Sequence, residues 1–321
     1  MVQYGLPYTQ KYGSLERMQY CLTEDGHVQS WLPSYSDAAA EAYGSEVAPW
    51  DVYLGNDCSG AVYWSWTKVC SSVSFGVTGQ MVPAAENLRF GVLALGGYQA
   101  SSTITLDVIA ENTPEVMAEC LALLQYGDAI VQKDPDAGHA KLAARDAMVM
   151  RDENGVINLD ASYLVTHEHG VGKGSSGKNS TWQLNGKNTF RALLGDGYIP
   201  LTCSELLNGE PAEASITPSG ITGPFTGNVR SNYRIISSTM EMVNAATGKS
   251  YESVNFTALD TDRFKDGPSD GHARTTVRTV YPSAHEADFA DLPSGDYNYS
   301  LKVLLSNGKS YTVKIGTYTK G

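Results

Sequence analysis

The sequence lacks two features that would place the protein on a membrane or on nucleic acid. No apolar run approaches the roughly 20 residues that a bilayer-spanning helix requires, so a membrane-spanning protein is not expected. Basic residues are few, with 23 Lys and Arg against 35 Asp and Glu, and the net charge of -12 opposes binding to phosphate backbones and to anionic lipid surfaces. We therefore expect neither nucleic acid nor a membrane as a partner.

Paired cysteines and a recognisable leader peptide are also lacking. The five cysteines form no CxxC pair, and their odd number leaves at least one thiol without an intrachain partner. They are Cys21, Cys58, Cys70, Cys120 and Cys203. The first residues, MVQYGLPYTQ, lack the basic and apolar regions of a signal peptide, so we expect a protein that is cytoplasmic or has lost a leader.

The length of 321 residues suits two domains, and the first is predicted over residues 1–211. Helical patterns dominate up to about residue 127, the best of them TPEVMAECLALLQYG, with Thr113 as its N-cap, Val116 on its apolar face and Gly127 as its stop. Predicted strands follow at 129–132, from 139, at 156–159 and at 162–167, and WQLNGKNTFRALLGDGYIPLT is predicted as a last helix and a returning strand. Helices followed by an antiparallel sheet predict an α+β fold.

A second domain, a β-sandwich of Ig-like type, is predicted over residues 212–321. Its first segment, PAEASITPSGITGPFTGN, has no helical or strand period and is predicted to be a linker. Further along, apolar residues alternate down one face of a strand, SNGK turns the chain, and a second strand returns. The alternating residues are Tyr297, Tyr299, Leu301, Val303 and Leu305.

The segment GNDCSG, at 55–60, places a cysteine directly before the helical pattern SGAVYWSWTKV. If the helix begins at Cys58, its unpaired N–H groups and the positive end of its dipole stabilise a thiolate. Polar neighbours and flanking glycines predict the partly exposed environment of a reactive thiol. Cys70 and Cys120 lie among apolar residues and are predicted to be small buried hydrophobes.

A cysteine nucleophile needs an imidazole to take its proton, and usually a third polar residue to hold that imidazole. His139 begins a predicted strand, so its ring could project from the sheet edge toward a helix start. His27 lies in a polar stretch typical of a solvated surface, and His272 and His285 fall in the second domain. A histidine such as His139, considered alone, more often has a structural role than a catalytic one. Its pairing with Cys58 favours a catalytic role instead.

Three short motifs in this order, DCSG opening a helix, GDAI on a strand and GHA opening the next strand, resemble the NlpC-type cell-wall cysteine peptidases, a papain-like group. YGLPYTQKYGSL and GYIPLT are similar to segments of secreted members, and the likeness covers roughly residues 1–210. It implies Cys58 as nucleophile, His139 as general base, and Asp57 and Ser59 as substrate-binding residues. It further implies a monomeric, secreted or cell-wall-associated bacterial hydrolase of peptidoglycan stem peptides, with no cofactor and no metal.

The resemblance also implies a third polar residue on the strand after the histidine strand, which here reads SYLVTHEHG. Alternation places His167 and His169 on one face of that strand and Glu168 on the other. A carboxylate would orient the imidazole and stabilise its charged form, which favours Glu168 over His167 without excluding the latter. Zinc is disfavoured, because THEHG lacks HExxH spacing.

The sequence departs from the family pattern in the histidine strand. Lys141, Arg145 and Asp146 stand where the family usually has a more apolar run, which leaves the strand register open. Aromatic residues near Cys58 could line a groove or belong to the core: Trp50, Tyr53, Tyr63, Trp64 and Trp66. Two other functions are compatible with these residues: a non-catalytic surface-binding protein with a peptidase-like fold, and an acyltransferase that uses the same cysteine and histidine.

Overall fold

A computed structural model describes residues 57–170, 182–257 and 278–321 of the chain. These residues fall into two compact units, and the chain passes from the first to the second between Pro211 and Ala212, where the predicted boundary lies. The short segment Thr67–Ser71 belongs with the second unit, which nothing in the sequence indicates. Several residues named above lie outside the described ranges: Cys21, His27, Trp50, Tyr53, His272 and the segment YGLPYTQKYGSL.

The helices of the first unit are short, and the best-predicted one begins where expected. Thr113 accepts a hydrogen bond from the backbone N of Val116 at 3.2 Å, and Pro114 occupies the first helical position. This helix ends at Ala122, before the predicted stop at Gly127, and Val116 is 42% exposed rather than on the apolar face. The helices are α1 Cys58–Trp66, α2 Thr78–Met81, α3 Thr105–Glu111, α4 Pro114–Ala122, α5 Phe190–Gly195 and α6 Ser204–Asn208, with a 3-10 helix at Ala85–Phe90.

The described strands of the first unit form one antiparallel sheet in the order β1-β6-β2-β3-β4-β5. Their bounds are β1 Leu93–Ala94, β2 Ala129–Lys133, β3 Gly138–Ala143, β4 Tyr163–His169, β5 Trp182–Thr189 and β6 Ile199–Thr202. Helices combined with an antiparallel sheet confirm the predicted α+β class.

Three predicted elements of this unit differ in extent or kind. The strand predicted from His139 is present but ends at Ala143, and residues 156–159 form only an isolated bridge between Arg151 and Ile157. The predicted last helix and returning strand are present as α5 and β6, but the segment before them is strand β5 as far as Thr189, whose side chain caps α5 by accepting from the backbone N of Ala192 at 3.2 Å. The residues WQLNGKNT form a strand despite their helical pattern, because their backbone N–H and C=O groups form hydrogen bonds with β4 across the sheet.

The second unit contains two antiparallel sheets, β10-β9-β12-β13 and β11-β8-β7, whose inward side chains share one apolar core. The strands are β7 Ile216–Ser219, β8 Asn228–Ser231, β9 Ile235–Asn244, β10 Ser250–Phe256, β11 Thr279–Val280, β12 Gly295–Leu305 and β13 Ser310–Lys320, and a 3-10 helix spans Pro282–Phe289. The five alternating residues of β12 are all buried, as predicted. The prediction of a structureless linker is wrong, because β7 lies within that segment and pairs with β8.

None of the helices in the described ranges is both long enough and apolar enough to cross a bilayer. The longest of the α-helices named above have 9 residues, far fewer than a membrane span requires.

Candidate active site

The start of α1 is held by the side chain of Asp57, the residue before Cys58. Its Oδ1 atom accepts hydrogen bonds from the backbone N of Gly60 at 2.7 Å and from Oγ of Ser59 at 3.0 Å. The carbonyl of Asp57 accepts the first helical hydrogen bond, from the backbone N of Ala61 at 2.8 Å. Asp57 is thus the N-cap of the helix, and the prediction that Cys58 begins a helix is confirmed.

Asp57 and Ser59 support this helix start from inside the protein. Asp57 is 5% exposed and Ser59 is 1% exposed, and the Ser59 hydroxyl also lies 3.3 Å from the carbonyl oxygen of Gly76. Burial raises the pKa of Asp57 to about 6, although the hydrogen bonds from Gly60 and Ser59 act in the opposite direction. Asp57 thus caps the helix with the support of Ser59, and the substrate-binding role that the resemblance implies for both residues stays a prediction.

Cys58 lies beside the strand that carries the candidate base. Helix α1 packs against β3 and β4, and the Sγ atom of Cys58 lies 4.0 Å from the carbonyl oxygen of Gly138, the first residue of β3 and the neighbour of His139. The thiol is only 3% exposed, so the prediction of a partly exposed cysteine is wrong. The polar sequence around it is used for capping rather than for solvent contact.

The first residue of β3 must be a glycine because α2 approaches it closely. A Cβ atom on Gly138 would lie 2.2 Å from Oγ1 and 2.9 Å from Cβ of Thr78, well inside van der Waals contact. The glycine of the GHA motif therefore lets the beginning of the strand pack against α2, next to the thiol.

His139 is held by a carboxylate on the adjacent strand. Its Nε2 atom lies 2.9 Å from Oε2 of Glu168, and the two side chains are 25% and 16% exposed. Glu168 pairs in register with Lys141, which alternation places on the same face of β3 as His139. Because Nε2 is engaged by Glu168, Nδ1 is the nitrogen through which His139 would exchange a proton with a thiol.

The structure decides among the three polar residues that the sequence left as candidates. Glu168 meets His139, whereas His167 pairs with Leu142 and lies on the opposite face of β4. The Nδ1 atom of His167 accepts from the backbone N of Asn185 at 3.2 Å, and burial together with the charge of Arg145 lowers its pKa.

The third candidate, His169, is part of the packed interior. It is fully buried and its ring stacks on Trp182, with the ring centroids 4.4 Å apart. The structure therefore brings His139 together with Glu168, places Cys58 beside the start of β3, and leaves His167 and His169 in other environments.

The ammonium group of Lys141 also helps to hold Glu168 in its ionised form. The Nζ atom of Lys141 lies 3.0 Å from the same Oε2 atom that contacts His139. Burial alone would raise the pKa of Glu168, but the hydrogen bond from His139 and the charge of Lys141 outweigh it and lower the pKa below its usual value. Lys141, at which the sequence departs from the family pattern, is thus part of the site. Arg145 and Asp146, which also depart from that pattern, lie beyond the end of β3.

Tyr198, just before β6, belongs to the same cluster and was missed by the sequence reasoning. Its ring lies 4.9 Å from the Nζ atom of Lys141, and the residue is 7% exposed. Burial and the negative charges of Glu168 and Cys58 raise its pKa, so the phenol stays protonated and can only act as a neutral group. The only signal in the sequence was the segment GYIPLT, which contains it.

The aromatic residues of α1 belong largely to the core rather than to a groove. The rings of Tyr63 and Trp66 pack edge-on against Phe75, with centroid distances of 5.3 Å and 5.8 Å, and both residues are almost fully buried. Trp66 donates its indole N–H to the carbonyl of Gly127 at 2.8 Å, which ties α1 to the segment before β2. Their size therefore anchors the helix that carries Cys58.

No protein-family model matches this chain, and no curated protein matches its sequence. The chemistry of the site is therefore argued from its own geometry. A thiol at a capped helix start, an imidazole on the neighbouring strand and a carboxylate that orients the imidazole have the composition of a cysteine-dependent acyl-transfer site.

Proposed function

We propose that this protein is a cysteine peptidase or amidase that hydrolyses amide bonds in the stem peptides of peptidoglycan. The observation that carries the proposal is the 2.9 Å contact between His139 Nε2 and Glu168 Oε2, on the strand whose first residue lies beside the Cys58 thiol. An imidazole oriented in this way can serve as a general base. The choice of peptidoglycan, and of a secreted, monomeric, papain-like enzyme with an accessory β-sandwich, rests on the NlpC-type resemblance of DCSG, GDAI and GHA.

In the proposed reaction, His139 takes the proton of the Cys58 thiol and the thiolate attacks the carbonyl carbon of the scissile amide. The oxyanion that forms is stabilised at the positive end of α1, by backbone N–H groups of its first turn. Collapse of this intermediate breaks the C–N bond, and the imidazolium gives its proton to the departing amine, which leaves a thioester on Cys58. Water, deprotonated by His139, then attacks the thioester, releases the carboxylic acid and restores the thiol.

Glu168 contributes by holding the imidazole in one orientation and by stabilising its protonated form. Asp57 contributes indirectly, because its capping hydrogen bonds fix the first turn of α1 and so the position of the Sγ atom. We assign the second unit the role of a spacer or packing module.

The burial of Cys58 favours a second candidate function, a non-catalytic wall-binding protein that keeps a peptidase-like fold. A thiol with 3% exposure cannot meet a substrate carbonyl unless the groups that cover it move. In a binding protein, by contrast, a buried cysteine is an ordinary small apolar residue. Loss of function on replacement of Cys58 separates the two candidates.

The test is digestion of purified peptidoglycan, followed by mass analysis of the new termini. We expect the wild-type protein to release peptides with a new amine and a new carboxylate, and Cys58→Ala and His139→Ala to release none. His167→Ala is the matched control, since this histidine lies on the other face of β4 and should leave digestion unchanged. Equal digestion by the wild type and by Cys58→Ala, or none by either protein, would overturn the proposal.

A further inference from the structure

A single carboxylate oxygen in this site is shared by an imidazole and an ammonium group. Oε2 of Glu168 lies 2.9 Å from Nε2 of His139 and 3.0 Å from Nζ of Lys141. Both distances are those of strong hydrogen bonds to a charged acceptor. The position of the carboxylate, and through it the orientation of the imidazole, therefore depends on Lys141.

Three neighbouring side chains, those of Glu168, Asn188 and Tyr198, hold the ammonium group of Lys141 in place. It is 11% exposed, it lies opposite Glu168 in the register of β3 and β4, and its Nζ atom is 3.4 Å from Oδ1 of Asn188 on β5. The ring of Tyr198 lies 4.9 Å from the same atom and contributes a cation–π contact. A lysine as buried as this one is rare unless its charge is paired, so its position and charge are fixed features of the site.

Few other charges meet this cluster from the described elements packed around β3. Cys58 faces it from α1, Glu168 from β4 and Tyr198 from the turn before β6. On β2 the residue opposite His139 is the uncharged Gln132, whose side chain donates to Asp134. Lys141 is thus the lysine that shares the Glu168 carboxylate with His139.

The charge of Lys141 supports catalysis through the carboxylate. It helps to keep Glu168 ionised, and the ionised carboxylate orients the imidazole of His139.

We propose that Lys141 is a positioning residue of the Cys58–His139 site, whose contact with Oε2 holds the Glu168 carboxylate where it orients the imidazole. The inference rests on the proposed function, since it concerns the same site. It goes beyond the resemblance, in which this strand position is usually apolar. Lys141 itself touches no reacting atom and acts through Glu168 and His139.

The test compares three variants by the kcat and KM of peptidoglycan digestion and by the proton–carbon NMR signal of the His139 ring, which is identified by its loss in His139→Ala. Lys141→Met removes the charge and the hydrogen bond, Lys141→Gln removes the charge but keeps an N–H donor, and Lys141→Arg keeps the charge. We expect kcat to fall about 10-fold in the Met and Gln variants with KM little changed, and to stay close to the wild-type value in the Arg variant. The His139 ring signal should move in the Met and Gln variants and keep its position in the Arg variant.

The Gln variant covers the case in which Lys141→Met fails to fold, and circular dichroism shows which variants are folded. Equal kcat in all folded variants would overturn the inference, and so would an equal loss in Lys141→Arg, which would indicate packing rather than charge. If digestion by the wild type does not depend on Cys58, the proposed function falls and the catalytic role of Lys141 falls with it. If digestion depends on Cys58 and kcat does not change in the Lys141 variants, only the inference falls.

Discussion

The Nε2 atom of His139 lies 2.9 Å from Oε2 of Glu168, although 29 positions separate these residues in the chain. The contact exists because β3 and β4 are antiparallel neighbours, paired so that Lys141 stands opposite Glu168. From that position the carboxylate reaches diagonally to His139, which lies two residues before Lys141 on the same face of the sheet. This contact gives the imidazole one fixed orientation, on which the following predictions depend.

Replacement of Glu168 by Gln should slow peptidoglycan digestion by about 10-fold or more. The amide keeps the shape of the side chain but removes the charge that supports the imidazolium, and general acid–base catalysis as a whole contributes roughly 10²- to 10⁴-fold. Steady-state rates measured across pH would show the loss. His167→Ala serves as the control, and an equal loss there would indicate that the strand, rather than the carboxylate, is responsible.

Replacement of His139 by Ala should slow the reaction of Cys58 with a small thiol reagent at neutral pH by about 10-fold or more, because an adjacent imidazolium favours the reactive thiolate. Mass spectrometry of digested, labelled protein would give the rate at each described cysteine. Cys120, buried in α4, and Cys203 provide internal references whose rates should not change. A rate at Cys58 that is indifferent to His139 would contradict the proposed pair.

Replacement of Asp57 by Asn should change how stability depends on pH. The pKa of Asp57 is raised by burial from 3.8 to about 6, so the folded protein holds this proton more tightly than the unfolded chain does. The contribution of Asp57 to the free energy of unfolding therefore falls as pH rises from about 4 to about 6, by about 2 to 3 kcal/mol in total. Asparagine caps helices about as well as aspartate, so the variant should lose this slope and keep the cap.

Urea unfolding of the wild type and of Asp57→Asn between pH 4 and pH 7 measures this difference directly. The variant should gain stability relative to the wild type as the pH rises. A difference that stays constant across this range would show that the carboxylate titrates normally and is not governed by burial.

Replacement of Gly138 by Ala should destabilise the protein by about 1–3 kcal/mol, the usual range for an overpacked position. The added Cβ atom would lie 2.2 Å from Oγ1 of Thr78, so the start of β3 or helix α2 must move. Gly170→Ala is the matched control, because its added Cβ would lie 3.7 Å from Cε1 of His139, an ordinary contact. Thermal unfolding of both variants, and of Gly138→Ala combined with Thr78→Gly, checks the cause, since the double variant should recover stability.

Local features of the sequence were sufficient for several parts of the fold. The capping residues Thr113 and Pro114 predicted where α4 begins, and the glycine-flanked DCSG segment predicted that a helix begins at Cys58. These signals work because a cap acts through hydrogen bonds to residues only three positions away. The segment WQLNGKNT was misassigned because its state depends on pairing with β4, which no local pattern reveals.

The exposure of Cys58 could not be read from its neighbours either. Asp57 and Ser59 look like the surroundings of a solvent-accessible thiol, but both turn inward and bond to each other. Whether a polar side chain caps a helix or faces solvent depends on what packs over it, and that is set by distant segments such as the one that contains Gly76.

The sequence by itself determined the starts of α1 and α4, the alternation of β12 and the presence of a cysteine, a histidine and three polar candidates for a third residue. Only the tertiary structure decided that Glu168 meets His139, that Lys141 shares its carboxylate and that Cys58 is buried. The physical reason is range: caps and strand alternation arise from interactions within a few residues. Register between strands and burial against a helix, by contrast, are properties of the packed chain.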